Sequence, residues 1–316
     1  MDKVGFKDRL IEVLGSEQVR ENELLSRYTT FRIGGPADYL ITVTGVPELA
    51  EALKLCRENG VVTYIIGRGS NVVFEDSGFR GAVIRLDGDA DGFRKVDEDE
   101  KAEVWYAPAG AALSALARAA GAAGLSGLEF AAGIPGSVGG GVVMNAGAYG
   151  GELKDCVTAS EYIGPDGETG TFEGEAQQFG YRRSVYSGSG YIVTGARFRL
   201  TRGRTSEEIF AEIKELGARR REKQPLEFPS AGSVFKRPEG DFAGRLIQEA
   251  GLRGFAEGGA QVSEKHGGFI INRGGATFSD LIAAVKAVRE KVLETSGRLL
   301  EPEIRFVKER GGEWKF

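Results

Sequence analysis

A single histidine, His266, serves a chain of 316 residues, which also has only two cysteines, two methionines and two tryptophans. One histidine excludes the histidine-rich sites that hold zinc for hydrolysis. Cys56 and Cys156 have neither metal-ligand spacing nor the density of a disulfide framework, so a reducing cytoplasm is the expected compartment. Long apolar runs are missing as well. None approaches the ~20 residues needed to span a bilayer, and the opening stretch, residues 1–15, is amphipathic and carries acids, which predicts a helix and not a secretion signal. Nor does one sign of charge dominate. The 41 Lys and Arg against 46 Asp and Glu leave a net charge of -5, which disfavours nonspecific nucleic-acid binding but still allows a local basic patch to hold phosphates.

What the chain has in excess is glycine, at 48 residues, about twice the usual ~7%. Many positions must therefore need unusual backbone angles or close approach of the main chain to something else.

The length predicts two or three packed units. Residues 1–27 read as a helix and a connector, 38–44 as a strand rich in β-branched residues, 48–59 as a helix ending at Gly60, 61–67 as a buried strand and 81–86 as another. The charged stretch 87–102 reads as an exposed turn region. Alanine-rich 109–123 predicts a helix with Leu113, Leu116 and Ala120 as a narrow apolar stripe. Strand-like segments recur through 157–200. From about residue 203 the texture changes to a long helix halted before Pro225, and the last part holds a helix over 279–296, closed by Gly297, and a strand over 303–307. This gives an α/β (α+β) chain with expected lobes at 1–86, 87–202 and 203–316.

Two glycine loops stand out. Gly67–Asn71, "GRGSN", directly follows a buried strand, and its N–H groups could form an anion-binding nest. It is not a dinucleotide fingerprint, because Val73 takes the place of the third glycine, and no Gly-Lys-Ser/Thr follows it. A plain strand-end turn is the competing reading. The second run, residues 131–152, offers Gly133, Gly136, Gly139, Gly140, Gly141 and Gly147 with almost no side-chain bulk. Backbone donors there can lie against a pyrophosphate or a flat ring, unless the run is a series of tight turns or a hinge. Arg68 is the only charge in the glycine-bearing parts of the two loops, so phosphate binding would rest on oriented backbone dipoles.

Seven segments then form a pattern: "TTFRIGGPAD" (29–38), "GRGSNVVFEDSGFRGAVI" (67–84), "GLSGLEFAAGIPGSVGGGVVMNAGAYGGE" (124–152), "YRRS" (181–184), "PSAGSVFKRP" (229–238), "SEKHGGFIIN" (263–272) and "LEPEIRF" (300–306). In this order they resemble the UDP-N-acetylenolpyruvoylglucosamine reductase family over residues 22–307. The resemblance implies a vanillyl-alcohol-oxidase-type FAD-binding domain of two lobes plus a C-terminal α/β lobe for the substrate. It places FAD on 31–36, 67–71 and 131–147, with contacts from Gly34, Gly67, Arg68, Gly69, Ser70, Asn71, Gly133, Ile134, Pro135, Gly136, Ser137, Gly139, Gly140, Asn145, Ala146 and Gly147. These loops hold neither histidine nor cysteine, so noncovalent FAD is expected. Only about twenty residues separate Ser184 from the long helix, which matches the family's shorter form, lacking an extra substrate loop.

The implied reaction reduces the enolpyruvyl ether of UDP-N-acetylglucosamine enolpyruvate, a step in making peptidoglycan precursors. NADPH reduces the flavin, and hydride then passes from flavin N5 to the vinyl carbon. By the same resemblance Ser233 is the proton donor, Arg182 faces the developing enolate and Glu303 completes the trio. Taken without the family, Ser233 would be a turn serine, and Glu303 and Arg182 solvated surface residues. Lys236 could supply cationic help to Ser233. Lys223 matches a lysine that meets the substrate's phosphates, and Tyr181 and Arg237 are further expected substrate contacts. Arg219 to Arg221 read as a solvated helix end, and for His266 a structural role competes with one near the active site. No metal, membrane or obligate protein partner is expected. The alternative activity is a flavin oxidase of the same superfamily.

Overall fold

The computed structural model describes residues 3–88 and 92–316. Seven helices are present among them: α1 (Lys3–Leu14), α2 (Val46–Glu58), α3 (Leu113–Ala122), α4 (Val138–Met144), α5 (Ser206–Lys223), α6 (Ala243–Glu249) and α7 (Phe278–Ser296). No helix among the described residues is long and apolar enough to cross a membrane.

The chain forms two compact units that interleave in sequence: residues 1–19, 41–68 and 84–220 in the first, and 20–40, 69–83 and 221–316 in the second. A four-stranded sheet has the order Val19–Leu24, Pro36–Val43, Phe79–Leu86, Thr63–Ile66, with Pro36–Val43 and Phe79–Leu86 as its two middle strands. Those strands are rich in Ile, Val, Leu and Phe and largely buried, the composition of strands covered on both faces.

The first unit holds a five-stranded antiparallel sheet, in the order Thr169–Glu173, Val157–Ile163, Ile192–Thr201, Ala102–Pro108, Arg94–Glu98. Its core joins that sheet to α3 and α4 through Leu113, Leu116, Ala120, Val138, Val142 and Phe198. The α3 stripe expected from the sequence is buried as predicted. The stretch 87–102 departs from expectation. Residues 89–91 lie outside the described residues, but Arg94–Glu98 is an edge strand paired with Ala102–Pro108. All five of its residues are exposed. Charged side chains blunt an open edge, and the same charges make such a strand resemble a turn in sequence.

The second unit packs α6 and α7 against a three-stranded sheet, Ala256–Glu257, Ala260–Val262 and Ile270–Asn272, around Val234, Ile247, Leu281, Val285, Val288 and Phe306. Reciprocal side-chain caps between Thr277 and Asp280 start α7, and Gly297 ends it at φ 68°. Glycine reaches that left-handed conformation without the steric cost a Cβ would add. The last strand, Arg305–Val307, lies parallel to Val72–Phe74. Glu303, expected within it, sits two residues ahead.

Candidate active site

The glycine run of the first unit is partly helical. Ser137 caps α4, its hydroxyl accepting from the Gly140 N–H at 3.2 Å, and Asn145 ends the helix in the left-handed region at φ 42°. Glycines disfavour a helix by about 1 kcal/mol each relative to alanine. Close packing explains their presence. A Cβ on Gly139 would lie 2.8 Å from that of Ala109, and one on Gly141 would lie 2.9 Å from a methyl of Leu153. The two loops singled out from sequence meet here: a Cβ on Gly67 would sit 2.1 Å from the Ser137 hydroxyl. Residues 132–136 remain partly open, whereas Ser137, Val138 and Gly139 are buried.

Arg182 occupies the tip of a tight turn. Gly180 and Arg183 exchange both backbone hydrogen bonds, at 3.0 and 3.2 Å, leaving Tyr181 and Arg182 between them. Arg182 takes φ 54°, which costs an L-residue roughly 1–2 kcal/mol. Its Nη2 donates to the Gly147 carbonyl at 3.1 Å, and its guanidinium lies 5.1 Å from the centre of the exposed Tyr181 ring. Asn145 is expected among the cofactor contacts. It is fully enclosed instead, with its amide committed to Gly180, Glu152 and Lys154.

Arg220 corrects the reading of a solvated helix end, whereas Arg219, like Arg221, is exposed. The Arg219 guanidinium stands 5.1 Å from the centre of the Tyr149 ring, and Arg220 donates to the Gly133 carbonyl. Burial pulls the pKa of Arg220 below its ordinary value. Nothing in an Arg-Arg-Arg string distinguishes Arg220 from its two exposed neighbours.

In the second unit Ser233 and Glu303 come from neighbouring extended segments. Ser233 bridges Phe269, and the Glu303 N–H donates to the Val234 carbonyl at 2.7 Å. Asn71, at the end of the first glycine loop, donates its side-chain N–H to the Glu303 carbonyl at 3.2 Å and accepts the Arg305 N–H on its own carbonyl at 3.1 Å. Three expected site residues are thus fastened to one another through main chain. Ser233 and Glu303 are both half-buried. Lys236, expected to assist Ser233, is ion-paired with Glu301. Arg237 is exposed beside Phe242, its guanidinium 4.5 Å from the ring centre, and Lys223 is exposed at the end of α5. His266 accepts the Gly268 N–H on Nδ1 at 3.1 Å and packs edge-on against Phe269, which is a structural task.

Among the described residues no group of histidine, cysteine and carboxylate side chains could hold a metal. A model of the UDP-N-acetylenolpyruvoylglucosamine reductase C-terminal domain matches residues 224–307, and an FAD binding domain model matches 37–173. The reductase of that name from Lachnoclostridium phytofermentans is 45% identical over 95% of this chain and 96% of its own length. The chain belongs to the UDP-N-acetylenolpyruvoylglucosamine reductase family. Another member, from Alkaliphilus oremlandii, is 43% identical over 98% of this chain and 100% of its own. The crystal structure of the reductase from Thermus caldophilus superposes with a TM-score of 0.75 at 39% identity, covering 91% of this chain and 99% of that one.

The fold is accordingly an FAD-binding domain followed by the family's C-terminal domain, and members of this family are FAD-dependent oxidoreductases. The residues present fit that cofactor. Gly67 and Ser137 bring two side-chain-poor loops into contact, and residues 132–136 beside them stay partly open, with Gly133 and Gly136 letting a large, flat ligand approach the main chain. Cys56 and Cys156 are both buried, and burial pushes each thiol up to about 12, where it stays protonated and unreactive.

Proposed function

We propose that this chain is a cytoplasmic enzyme of peptidoglycan precursor synthesis that uses noncovalent FAD and NADPH to reduce UDP-N-acetylglucosamine enolpyruvate to UDP-N-acetylmuramate. The observation that carries the reading is the hydrogen-bonded tie of Asn71 to Glu303 and of Glu303 to Val234 beside Ser233, within a chain whose residues 37–173 and 224–307 match an FAD binding domain and the family's C-terminal domain. The lobes are read as 1–86 and 87–202 for the cofactor and 203–316 for the substrate.

FAD, when bound, supplies the two-electron carrier between NADPH and the substrate's vinyl group. The chain's own residues then have three tasks. Arg182 pairs its planar fork with the substrate carboxylate, where negative charge accumulates. The Ser233 hydroxyl gives its proton to the carbon beside that carboxylate. A hydroxyl is a weak acid, so it serves only a strongly basic carbon held within hydrogen-bond reach. Glu303 hydrogen-bonds the enolic oxygen. Lys236 is not needed as Ser233's cation, since Glu301 already engages it. Lys223 and Arg237 are assigned to the substrate's phosphates, and Tyr181 to the substrate without a named subsite. The match of the family's C-terminal domain to residues 224–307 favours reduction of the enolpyruvyl sugar over transfer of electrons to oxygen.

The test is the visible spectrum of the purified protein. Flavin bands should bleach with NADPH, return on addition of the enolpyruvyl sugar without oxygen, and pass wholly into the supernatant after denaturation. A colourless protein that takes up no added FAD would rule the reading out, and colour left on the denatured chain would rule out noncovalent attachment.

A further inference from the structure

The sequence from Val143 to Gly147 touches the Arg182 turn at every second residue. The Ser184 hydroxyl donates to the Val143 carbonyl at 2.9 Å, the Asn145 side-chain N–H to the Gly180 carbonyl at 3.1 Å, and Arg182 itself to the Gly147 carbonyl at 3.1 Å. Asn145 is the centre of this arrangement. Its amide also donates to Glu152 at 3.1 Å and accepts the Lys154 N–H at 2.9 Å, so a fully buried group has both N–H bonds and its oxygen satisfied by two separate segments, 152–154 and the Gly180 turn.

The choice of residue is informative. A helix end in the left-handed region is ordinarily given to glycine, and this segment uses glycine freely. Asparagine is the side chain that tolerates that conformation and also carries an amide. Arg182 is itself held at φ 54°, a conformation that persists only when surrounding contacts impose it.

We propose that Asn145 is a positioning residue for Arg182: its buried amide fixes the Gly180–Arg183 turn on the end of α4 and so sets where the guanidinium meets the substrate carboxylate. The inference rests on the role given to Arg182 above. It also gives the glycine run a second task, since the same short helix that begins at Ser137 in the cofactor loop ends in the support of the arginine.

Asn145→Gly keeps the backbone conformation and deletes the amide. In FAD-loaded protein reduced with NADPH, this variant should slow flavin reoxidation by the enolpyruvyl sugar on the order of 100-fold, the effect of about 1 Å of misplacement. Reduction by NADPH and the flavin spectrum should stay as in the parent. In protein without FAD, hydrogen exchange of residues 180–184 should accelerate. Combined with Arg182→Lys, Asn145→Gly should add nothing further, because both act through one group. Ser184→Ala should give a milder slowing confined to the same half-reaction, and it carries the test if Asn145→Gly does not fold. Unchanged reoxidation or exchange, additive effects in the double variant, or equal slowing of both half-reactions would each overturn the proposal. Normal reoxidation in Arg182→Lys alone would overturn the role of Arg182 and this inference with it, whereas a defect there beside a normal Asn145→Gly overturns only the inference.

Discussion

The glycine run of the first unit and the segments around Ser233 in the second reach the same end, an accurately placed site, by opposite means. In the run, position comes from side chains that are missing. Gly139 lets α4 approach Ala109, Gly141 lets it approach Leu153, and Gly67 lets a strand end touch Ser137. Around Ser233, position comes from main-chain hydrogen bonds: Val234 N–H to Gly268, Lys236 N–H to Glu301 and Glu303 N–H to Val234, all between 2.7 and 2.9 Å. One region fails when an atom is added. The other keeps its shape when a side chain is trimmed and loses only the chemistry.

The sharpest contrast is between Ser233→Ala and Gly139→Ala. Removing the Ser233 hydroxyl deletes the proposed proton donor from a segment whose backbone pairing runs through Val234, Lys236 and Glu303. Reoxidation of reduced protein by the enolpyruvyl sugar should drop by roughly 10²–10⁴-fold, the span of general acid catalysis. The melting temperature and the rate of reduction by NADPH should not change. A slowed reduction by NADPH would show that the hydroxyl does something other than protonate substrate. Gly139→Ala should do the reverse. Its new methyl would lie 2.8 Å from the Ala109 Cβ and 3.3 Å from that residue's carbonyl oxygen, and overpacking of this kind costs about 1–3 kcal/mol. Thermal melting should register the loss together with weaker FAD retention, while protein that does hold FAD should turn over near the parental rate. A full-strength melting transition would mean that the run yields more easily than its packing implies.

The two regions also differed in how far they could be read in advance. The long helices announced themselves: α7 starts one residue before the expected 279 and stops at Gly297, α5 ends two residues short of Pro225 as expected, and α3 carries the stripe of Leu113, Leu116 and Ala120. Helix α4 escaped because three consecutive glycines argue against a helix locally, and only the tight fit against Ala109 and Leu153 overrules them. Family membership was legible from seven short strings taken in order, "PSAGSVFKRP" and "YRRS" among them. Support was not. The Asn145 amide acts across 35 positions to Gly180, and Arg220 across 87 to Gly133, and neither string marks which asparagine or which of three arginines will be enclosed. Lys236 erred in the other direction. Its closeness to Ser233 in sequence suggested assistance, and its closeness to Glu301 in space supplies the partner that claims it.

The smallest expected effect sharpens the second region from beneath. His266 accepts the Gly268 N–H on Nδ1, and the Gly268 carbonyl in turn accepts the Val234 N–H, so the ring steadies the main chain beside Ser233. Burial, with Arg253 adding to it, lowers the pKa of His266 below its ordinary value. A proton on Nδ1 would place a donor against a donor. The unfolded chain therefore takes up a proton before the folded one does, and stability should be full above the unfolded histidine pKa of about 6.5 and decline as pH falls below it. His266→Asn offers an oxygen to the same N–H without a group that titrates in this range. It should flatten the fall in melting temperature between about pH 7 and 5 while leaving the midpoint at neutral pH nearly unchanged. An undiminished slope in that variant would move the acid sensitivity to carboxylates elsewhere and leave the Ser233 segment standing on its backbone pairing alone.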